Sequence, residues 1–126
     1  MSRTSAIMSF KIPASLELEM NKKIVSEGYG LRGKSKWISD VLCKFLSCED
    51  EGFVLDCIGY ADELERLDKM VSVRLTPEAE VFLNRWVIKS RLQMPTLEGV
   101  KSKIIRTAII HGLLGSTDSI SKIAAN

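Results

Sequence analysis

The sequence predicts a mainly α-helical protein that contains two copies of one strand–helix–helix unit. Two short stretches of alternating apolar and polar residues, Met8–Ile12 and Val71–Leu75, lie 63 positions apart. Each is typical of a strand with one apolar face. A helical pattern that opens with Lys-Ser-Lys follows each of them, at Lys34 and at Lys101. The 126 residues and the apolar fraction of 45% suit a small globular chain with a core.

The two predicted strands have matching faces. Side chains alternate across a strand, so every second residue lies on the same face. The apolar faces hold Met8, Phe10 and Ile12 in the first strand and Val71, Val73 and Leu75 in the second. The opposite faces hold Ile7, Ser9 and Lys11 in the first strand and Met70, Ser72 and Arg74 in the second. Each strand is therefore expected to turn its apolar face to a core and its polar or basic face outward.

A helix is predicted after each strand, and its start is clearest in the second unit. Thr76-Pro77-Glu78 combines a capping hydroxyl, a proline suited to the first turn and an acid at the positive end of the helix dipole. Apolar residues then recur three and four positions apart: Leu16, Met20 and Ile24 with Val25 beside it, and Ala79, Phe82, Leu83, Trp86 and Val87. The helices are expected to end at Gly28-Tyr29-Gly30 and near Gln93-Met94-Pro95.

The second helix of each unit carries the closest match. Lys34–Ile38 aligns with Lys101–Ile105 at an offset of 67, so the second loop is four residues longer than the first. Lysine is unfavourable at the positive end of a helix dipole, yet both copies have it. Free backbone N–H groups, a serine hydroxyl and two lysines together form a ready anion site. The repeated pattern therefore indicates two sites for anionic groups. Lysines that lie in solvent and bind no anion would give the same sequence pattern.

Charge is distributed unevenly along the chain, whose net charge is only +2. Residues 1–48 carry +4, residues 49–68 carry −7 and residues 69–126 carry +5. This pattern indicates two polyanion-binding units joined by an acidic connector, or else a mixed surface with an acidic run. Apolar residues within the connector predict one or two helices packed on the core: Phe53, Val54, Leu55, Ile58, Leu64 and Leu67.

The two units resemble the ribbon-helix-helix superfamily, which includes Arc, MetJ and CopG. The segments SFKIP and SVRLT resemble the strand of that family, and KSKWISDVLCKFL and KSKIIRTAIIHGL resemble its second helix. The resemblance covers most of the chain and divides it into 6–48 as a first unit, 49–68 as the connector, 69–115 as a second unit and 116–126 as a tail. The tandem form is similar to the TraY-type conjugation accessory proteins.

The resemblance implies a specific architecture and mode of binding. The two strands would pair as an antiparallel ribbon above four helices, so that one chain forms an intramolecular pseudo-dimer. The ribbon would enter the major groove of double-stranded DNA, where outward side chains read base edges. The expected base-reading residues are Ile7, Ser9, Lys11, Met70, Ser72 and Arg74. The residues expected to bind phosphate are Lys34, Ser35, Lys36, Lys101, Ser102 and Lys103.

The outward residues are not equivalent in what they can recognise. Arg74 is expected to contact guanine through two hydrogen bonds, and Lys11 is its counterpart with a compact charge. Ile7 and Met70 depart from the family, which often has polar groups at all outward positions. These two are expected to touch a thymine methyl group or to flank the ribbon. Because the two strands differ, the DNA site is expected to be an imperfect palindrome.

Several functions are consistent with this reading. A DNA-binding protein of this kind serves as a transcriptional regulator or as a plasmid or mobile-element accessory factor, the latter with a relaxase or another transfer protein as partner. Further association of pseudo-dimers on DNA is left open. The alternatives are a helical protein-interaction module and an antitoxin-like protein. No catalytic constellation, cofactor motif, metal-ligand spacing or membrane span is recognised in the sequence, and three unpatterned cysteines favour a reduced, cytoplasmic protein.

Overall fold

A computed structural model describes residues 7–30, 33–48, 50–60, 67–96 and 99–114. The secondary structure, in chain order, is β1 (Ile7–Ile12), α1 (Ala14–Ser26), α2 (Lys34–Leu46), α3 (Glu51–Tyr60), β2 (Lys69–Arg74), α4 (Pro77–Gln93) and α5 (Val100–Leu113). The prediction of a mainly α-helical chain with a two-stranded antiparallel ribbon is confirmed. The predicted ends of the two first helices agree with the last residues of α1 and α4.

The ribbon joins the start of the described chain to the strand that precedes α4. β1 and β2 pair antiparallel, with Ser9 opposite Ser72 at the middle of the register. The alternation predicted from the sequence holds on both strands. The inner face is apolar: Phe10, Ile12, Val71 and Val73 are each 2% exposed or less, and Met8 packs against the core as a half-buried residue. The ribbon is therefore a two-stranded sheet with one buried, apolar face.

One hydrophobic core joins both halves of the chain. The second helices α2 and α5 pack on each other, and α2 contacts β2 while α5 contacts β1. α1 packs on α5 and α4 packs on α2. The first helix of each half thus contacts the second helix of the other half. Neither half forms this core alone, because helices of each half pack against helices of the other.

The segment between the halves contains α3, which packs on α5. Val54 and Ile58 are fully buried, whereas Phe53 is 38% exposed. Leu55 packs on the core as a partly buried residue. Leu64 and the predicted tail, residues 116–126, lie outside the described part of the chain.

The two first helices start in different ways. In α4, the Thr76 hydroxyl accepts a hydrogen bond from the backbone N–H of Ala79 at 3.3 Å, as the sequence predicted for a capping threonine. In α1, Pro13 occupies the capping position and has no side-chain acceptor. The Asp68 carboxylate accepts instead from the backbone N–H of Ala14 at 3.1 Å. The last residue before β2 therefore caps a helix 54 positions earlier in the chain.

Candidate nucleic-acid interface

The outer face of the ribbon is a small polar surface built from three cross-strand pairs. The register pairs Ile7 with Arg74, Ser9 with Ser72 and Lys11 with Met70. All six residues are exposed, and the apolar Ile7 and Met70 retain 61% and 59% of their surface. Each end of the ribbon thus presents one cation beside one apolar side chain. All six residues predicted to read bases lie together on this single open face.

A pair of hydroxyl groups lies at the centre of the face. The Oγ atoms of Ser9 and Ser72 are 2.8 Å apart and share a hydrogen bond across the strands. One hydroxyl hydrogen occupies this bond, so the other hydrogen and the remaining lone pairs still point to solvent. The centre of the ribbon can therefore donate and accept hydrogen bonds without a charge.

The two cations of the face lie at opposite corners. Lys11 is on β1 and Arg74 is on β2, and four residues of register separate their pairs. At about 3.3 Å per residue, the corners are ~13 Å apart along the strands. The arrangement is close to two-fold symmetric in position but not in chemistry, because a guanidinium group binds as a planar fork and an ammonium group as a point charge.

The N-terminus of α2 lies beside the Arg74 end of the ribbon. The Ser35 hydroxyl accepts a hydrogen bond from the backbone N–H of Arg74 at 3.0 Å. Gly33 occupies the capping position and provides no side-chain acceptor, and the first turn contains no acid. A side chain at Gly33 would collide with Tyr29, so this helix start needs glycine. Ser35, predicted to bind phosphate, thus also ties the helix to the strand.

The lysines of this turn differ in exposure. Lys34 is half-buried, and Lys36 is exposed and pairs with the Asp40 carboxylate at 3.2 Å. Tyr29 donates a second hydrogen bond to Asp40 at 2.6 Å. This hydrogen bond, with lesser contributions from burial and nearby carboxylates, raises the pKa of Tyr29 to about 12. The network holds the loop after α1 against the first turns of α2.

The N-terminus of α5 has the corresponding residues in a more enclosed setting. Gly99 takes a left-handed conformation with φ of 62° at the capping position, which suits glycine. Lys101 is exposed and Ser102 is half-buried, but Lys103 is only 8% exposed. Of the three residues predicted here to bind phosphate, Lys101 is thus the most accessible and Lys103 the least.

Two contacts of the second helices, one with strand β1 and one with the turn after β2, were not predicted from the sequence. The Ser39 hydroxyl accepts from the backbone N–H of Thr76 at 3.0 Å, and Arg106 donates from Nη1 to the carbonyl of Lys11 at 3.1 Å. Ser39 and Arg106 are 1% and 5% exposed. They occupy matching positions, since they are 67 residues apart and follow the aligned segments directly. The sequence feature that could have identified these two residues is a polar residue on an otherwise apolar helix face.

The single histidine lies away from the ribbon, against α2 and α3. The His111 ring is 5.1 Å from the Phe45 ring and 6.5 Å from the Phe53 ring, measured between centroids. Burial, followed by the positive charge of Lys44, lowers the pKa of His111 below its ordinary value. The neutral ring serves as a packing group that joins three helices.

Comparison with known proteins gives no relative for this chain: no family model matches it, and neither do curated proteins or solved structures. Among the residues that the structure describes, no helix has both the length and the apolar character that a membrane span requires. Across the same residues, no group of three or more His, Cys, Asp and Glu side chains is arranged to hold a metal ion.

Proposed function

We propose that this protein binds double-stranded DNA in a sequence-specific manner, with the outer face of the ribbon in the major groove. In this proposal the two halves form an intramolecular pseudo-dimer of the ribbon-helix-helix type. The observation that carries it is the composition of the exposed face: two cations at opposite corners, two bonded hydroxyls at the centre and an apolar side chain beside each cation. A face of this kind matches the donors, acceptors and methyl groups of base edges.

The size of the ribbon supports the fit. Two strands lie about 4.8 Å apart and the major groove is about 12 Å wide, so a two-stranded ribbon with its side chains can enter. The ~13 Å between the corner cations corresponds to about four base pairs at ~3.4 Å of rise each. Recognition by Arg74 and Lys11 therefore predicts two preferred G·C pairs roughly four positions apart, with thymine methyl groups close to Ile7 and Met70.

The helix termini beside the ribbon supply the second part of the interface. The first turns of α2 and α5 lack acids and carry exposed or half-buried lysines at 34, 36 and 101. Backbone N–H groups at a helix start and lysine ammonium groups bind phosphate oxygens on both sides of a groove. α2 contacts β2 and α5 contacts β1, so one anion site flanks each side of the ribbon. Phosphate contacts would then fix the register while the ribbon reads sequence.

In the cell, we infer a cytoplasmic role as an accessory factor of a plasmid or mobile element, with a relaxase or another transfer protein as partner, or as a transcriptional regulator. Both roles use the same DNA-binding activity. Selection of bound fragments from the host genome separates them: enrichment of a transfer origin indicates the accessory role, and enrichment of the gene's own promoter indicates the regulator.

The DNA-binding proposal is tested by selecting bound duplexes from a random library and repeating the selection with the Lys11→Ala/Arg74→Ala variant. The wild-type protein is expected to enrich one imperfect palindrome, with affinity that falls steeply as salt rises. The double variant is expected to lose the enrichment and to keep its far-UV circular dichroism spectrum. The matched control is Lys44→Ala/Arg91→Ala, which removes the same charge from exposed helix positions.

Two outcomes would contradict the proposal. One is a wild-type protein that enriches no duplex at low salt, which would favour a protein-interaction module instead. The other is a Lys11→Ala/Arg74→Ala variant that selects the same sequence as the wild-type protein.

A further inference from the structure

Each end of the ribbon has one exposed apolar side chain directly across from one cation. Ile7 on β1 lies opposite Arg74 on β2. At the other end, Met70 on β2 lies opposite Lys11 on β1. A single exposed apolar residue needs no explanation, but these two are 63 positions apart and so occupy matching places on the two strands. Their shared position indicates a function in recognition, and the chemistry of the side chains limits what that function is.

An apolar side chain can recognise only an apolar group on a base. Isoleucine has no donor or acceptor, and the methionine sulfur is a weak acceptor. Against the amino group of adenine or cytosine, such a side chain would displace water and offer no hydrogen bond in return. The apolar group that a base pair presents in the major groove is the C5 methyl group of thymine. 5-Methylcytosine carries the same methyl group at the same ring position, so these side chains would distinguish methylated from unmethylated pyrimidines but not thymine from 5-methylcytosine.

The pairing of Ile7 with Arg74 restricts which pyrimidine is contacted. The two strands of the ribbon lie side by side, so in a ribbon that runs along the groove the two side chains face opposite strands of the DNA. The Cβ atoms of directly paired residues are about 5 Å apart, which is comparable to the ~3.4 Å between successive base pairs. When Arg74 binds a guanine, Ile7 therefore lies over the cytosine paired with that guanine or over the neighbouring pyrimidine of the same strand.

The two ends of the ribbon differ in how sharply they would detect a methyl group. Ile7 is β-branched and stiff, whereas Met70 has three rotatable bonds and adapts to surfaces of different shape. The cations differ in the same direction, because the Arg74 guanidinium fixes its guanine through two hydrogen bonds and the Lys11 ammonium acts as a point charge. A missing methyl group is therefore expected to cost more at the Ile7 end than at the Met70 end.

We infer that the ribbon recognises the C5 methyl group of a pyrimidine at each guanine that it contacts, and that methylation of cytosine at C5 strengthens its binding to DNA. The inference rests on the proposed DNA binding and adds a form of regulation to the same face. Burial of one methyl group corresponds to a factor of about four in affinity. An enzyme that methylates cytosine in DNA would thus raise the occupancy of such sites without any change in base sequence.

The test starts from the duplex that the wild-type protein selects, with affinity measured by fluorescence anisotropy. Every pyrimidine of the site is compared in two forms that differ only in the C5 methyl group: thymine with deoxyuridine, and 5-methylcytosine with cytosine. We expect the methylated form to bind about fourfold more tightly at one position at the Ile7 end, with a smaller effect at one position at the Met70 end. The remaining positions are expected to show no effect.

A second set of duplexes separates the two sources of the methyl group. Where the sensitive position is a thymine, its T·A pair is replaced with C·G, and this duplex is measured with and without methylation of the new cytosine. The methylated duplex is expected to bind about fourfold more tightly than the unmethylated one, because the same methyl group is restored on a different base.

Protein variants assign the effect to the two side chains. Ile7→Ala is expected to reduce the methyl effect at its position to less than about twofold and to keep the preference for guanine, because Arg74 is intact. Met70→Ala is expected to do the same at the other end. Ile88→Ala is the matched control, since Ile88 and Ile7 are both 61% exposed but Ile88 lies on α4. Circular dichroism confirms that each variant is folded.

Three results would overturn the inference: equal affinity for the methylated and unmethylated forms at every position, an Ile7→Ala/Met70→Ala variant that keeps the full methyl effect, or an Ile88→Ala variant that loses it. In each of these cases the wild-type protein still selects its site, so the proposed DNA binding is unaffected. A wild-type protein that selects no duplex contradicts the DNA binding itself, and the inference fails with it.

Discussion

Arg106 of α5 donates a hydrogen bond to the backbone carbonyl of Lys11, 95 residues earlier in the chain, at a distance of 3.1 Å. The matching position on α2 is Ser39, whose hydroxyl accepts from the backbone N–H of Thr76. The counterpart of Thr76 in the first half is Pro13, which has no N–H to donate. The same position on the second helix therefore carries an acceptor in one half and a donor in the other, each suited to the backbone group it meets.

We expect Arg106→Met to destabilise the protein by about 1–3 kcal/mol, since the substitution leaves the Lys11 carbonyl without this donor while it keeps most of the packed side-chain volume. Urea denaturation measures the change in the free energy of unfolding. Lys101→Ala on the same helix is the control, because Lys101 is exposed and a surface substitution is expected to change stability by less than about 0.5 kcal/mol. Equal stability of Arg106→Met and the wild-type protein would show that the bond does not stabilise the fold.

A pair of glycine substitutions tests the close packing of α2 on α5. A Cβ atom at Gly112 would lie 2.7 Å from Val41 Cγ1 and 3.3 Å from two atoms of the Trp37 ring. We expect Gly112→Ala to cost about 1–3 kcal/mol from overpacking, partly offset by roughly 1 kcal/mol of helix propensity. Thermal unfolding followed by circular dichroism measures the change.

Gly52 provides the comparison, since a Cβ atom there meets only Asp50 Oδ1 at 3.5 Å, an ordinary contact. Gly52→Ala is expected to raise the melting temperature, because helix α3 gains up to about 1 kcal/mol of propensity without a clash. A higher melting temperature for Gly112→Ala than for the wild-type protein would contradict the packing of α2 on α5 described above.

Acid is expected to weaken the contact of His111 with α2 and α3. Burial and the Lys44 charge lower the pKa of His111 in the folded state below its value in the unfolded chain. The unfolded state therefore binds this proton more readily, and the stabilisation by the neutral ring is complete above about pH 6.5 and is lost as the pH falls through the folded-state pKa.

The measurement is the urea midpoint of the wild-type protein and of His111→Gln between about pH 7 and about pH 5. The variant loses ring contacts with Phe45 and Phe53 at every pH, so only the slope with pH is compared. A steeper fall in the wild-type protein is expected. Parallel curves for the two proteins would mean that His111 does not titrate in this range with a shifted pKa.

Salt dependence separates phosphate contacts from base contacts. If Lys34 and Lys101 each neutralise one phosphate, replacing either with alanine is expected to lower the slope of log affinity against log salt by about 0.9. Fluorescence anisotropy on a short duplex with one site gives the slope. Lys44→Ala is the control, because Lys44 is exposed in the last turn of α2. A slope that falls as much for Lys44→Ala would mean that charge alone, without position, determines binding.

Local patterns in the sequence predicted the regular elements and their inward faces. Period-two alternation identified the strands, and apolar spacing of three and four identified the helices, because both depend on residues close in the chain. The antiparallel pairing of β1 with β2 came from the resemblance to a known family and is confirmed. The contacts of Ser39 and Arg106 were not predicted, since each depends on which backbone group lies opposite in a segment that is distant in the chain.

The sequence pattern also predicted that the two Lys-Ser-Lys turns would be equivalent. In the structure, the two turns differ in exposure. Lys36 is exposed, whereas Lys103 at the matching position is 8% exposed. α5 has neighbours on more sides than α2, because α1, α2, α3 and α4 all pack against it. No pattern within 101–103 predicts which helices will pack around α5.

The ribbon is assembled within one polypeptide, since both of its strands belong to the same chain. Its formation is therefore a unimolecular event that dilution does not reverse, unlike a ribbon made by two separate subunits. The pairing of the two strands is therefore independent of the concentration of the protein in the cell. Separate codons also specify the two strands, so a mutation can alter one strand of the ribbon and leave the other as it was.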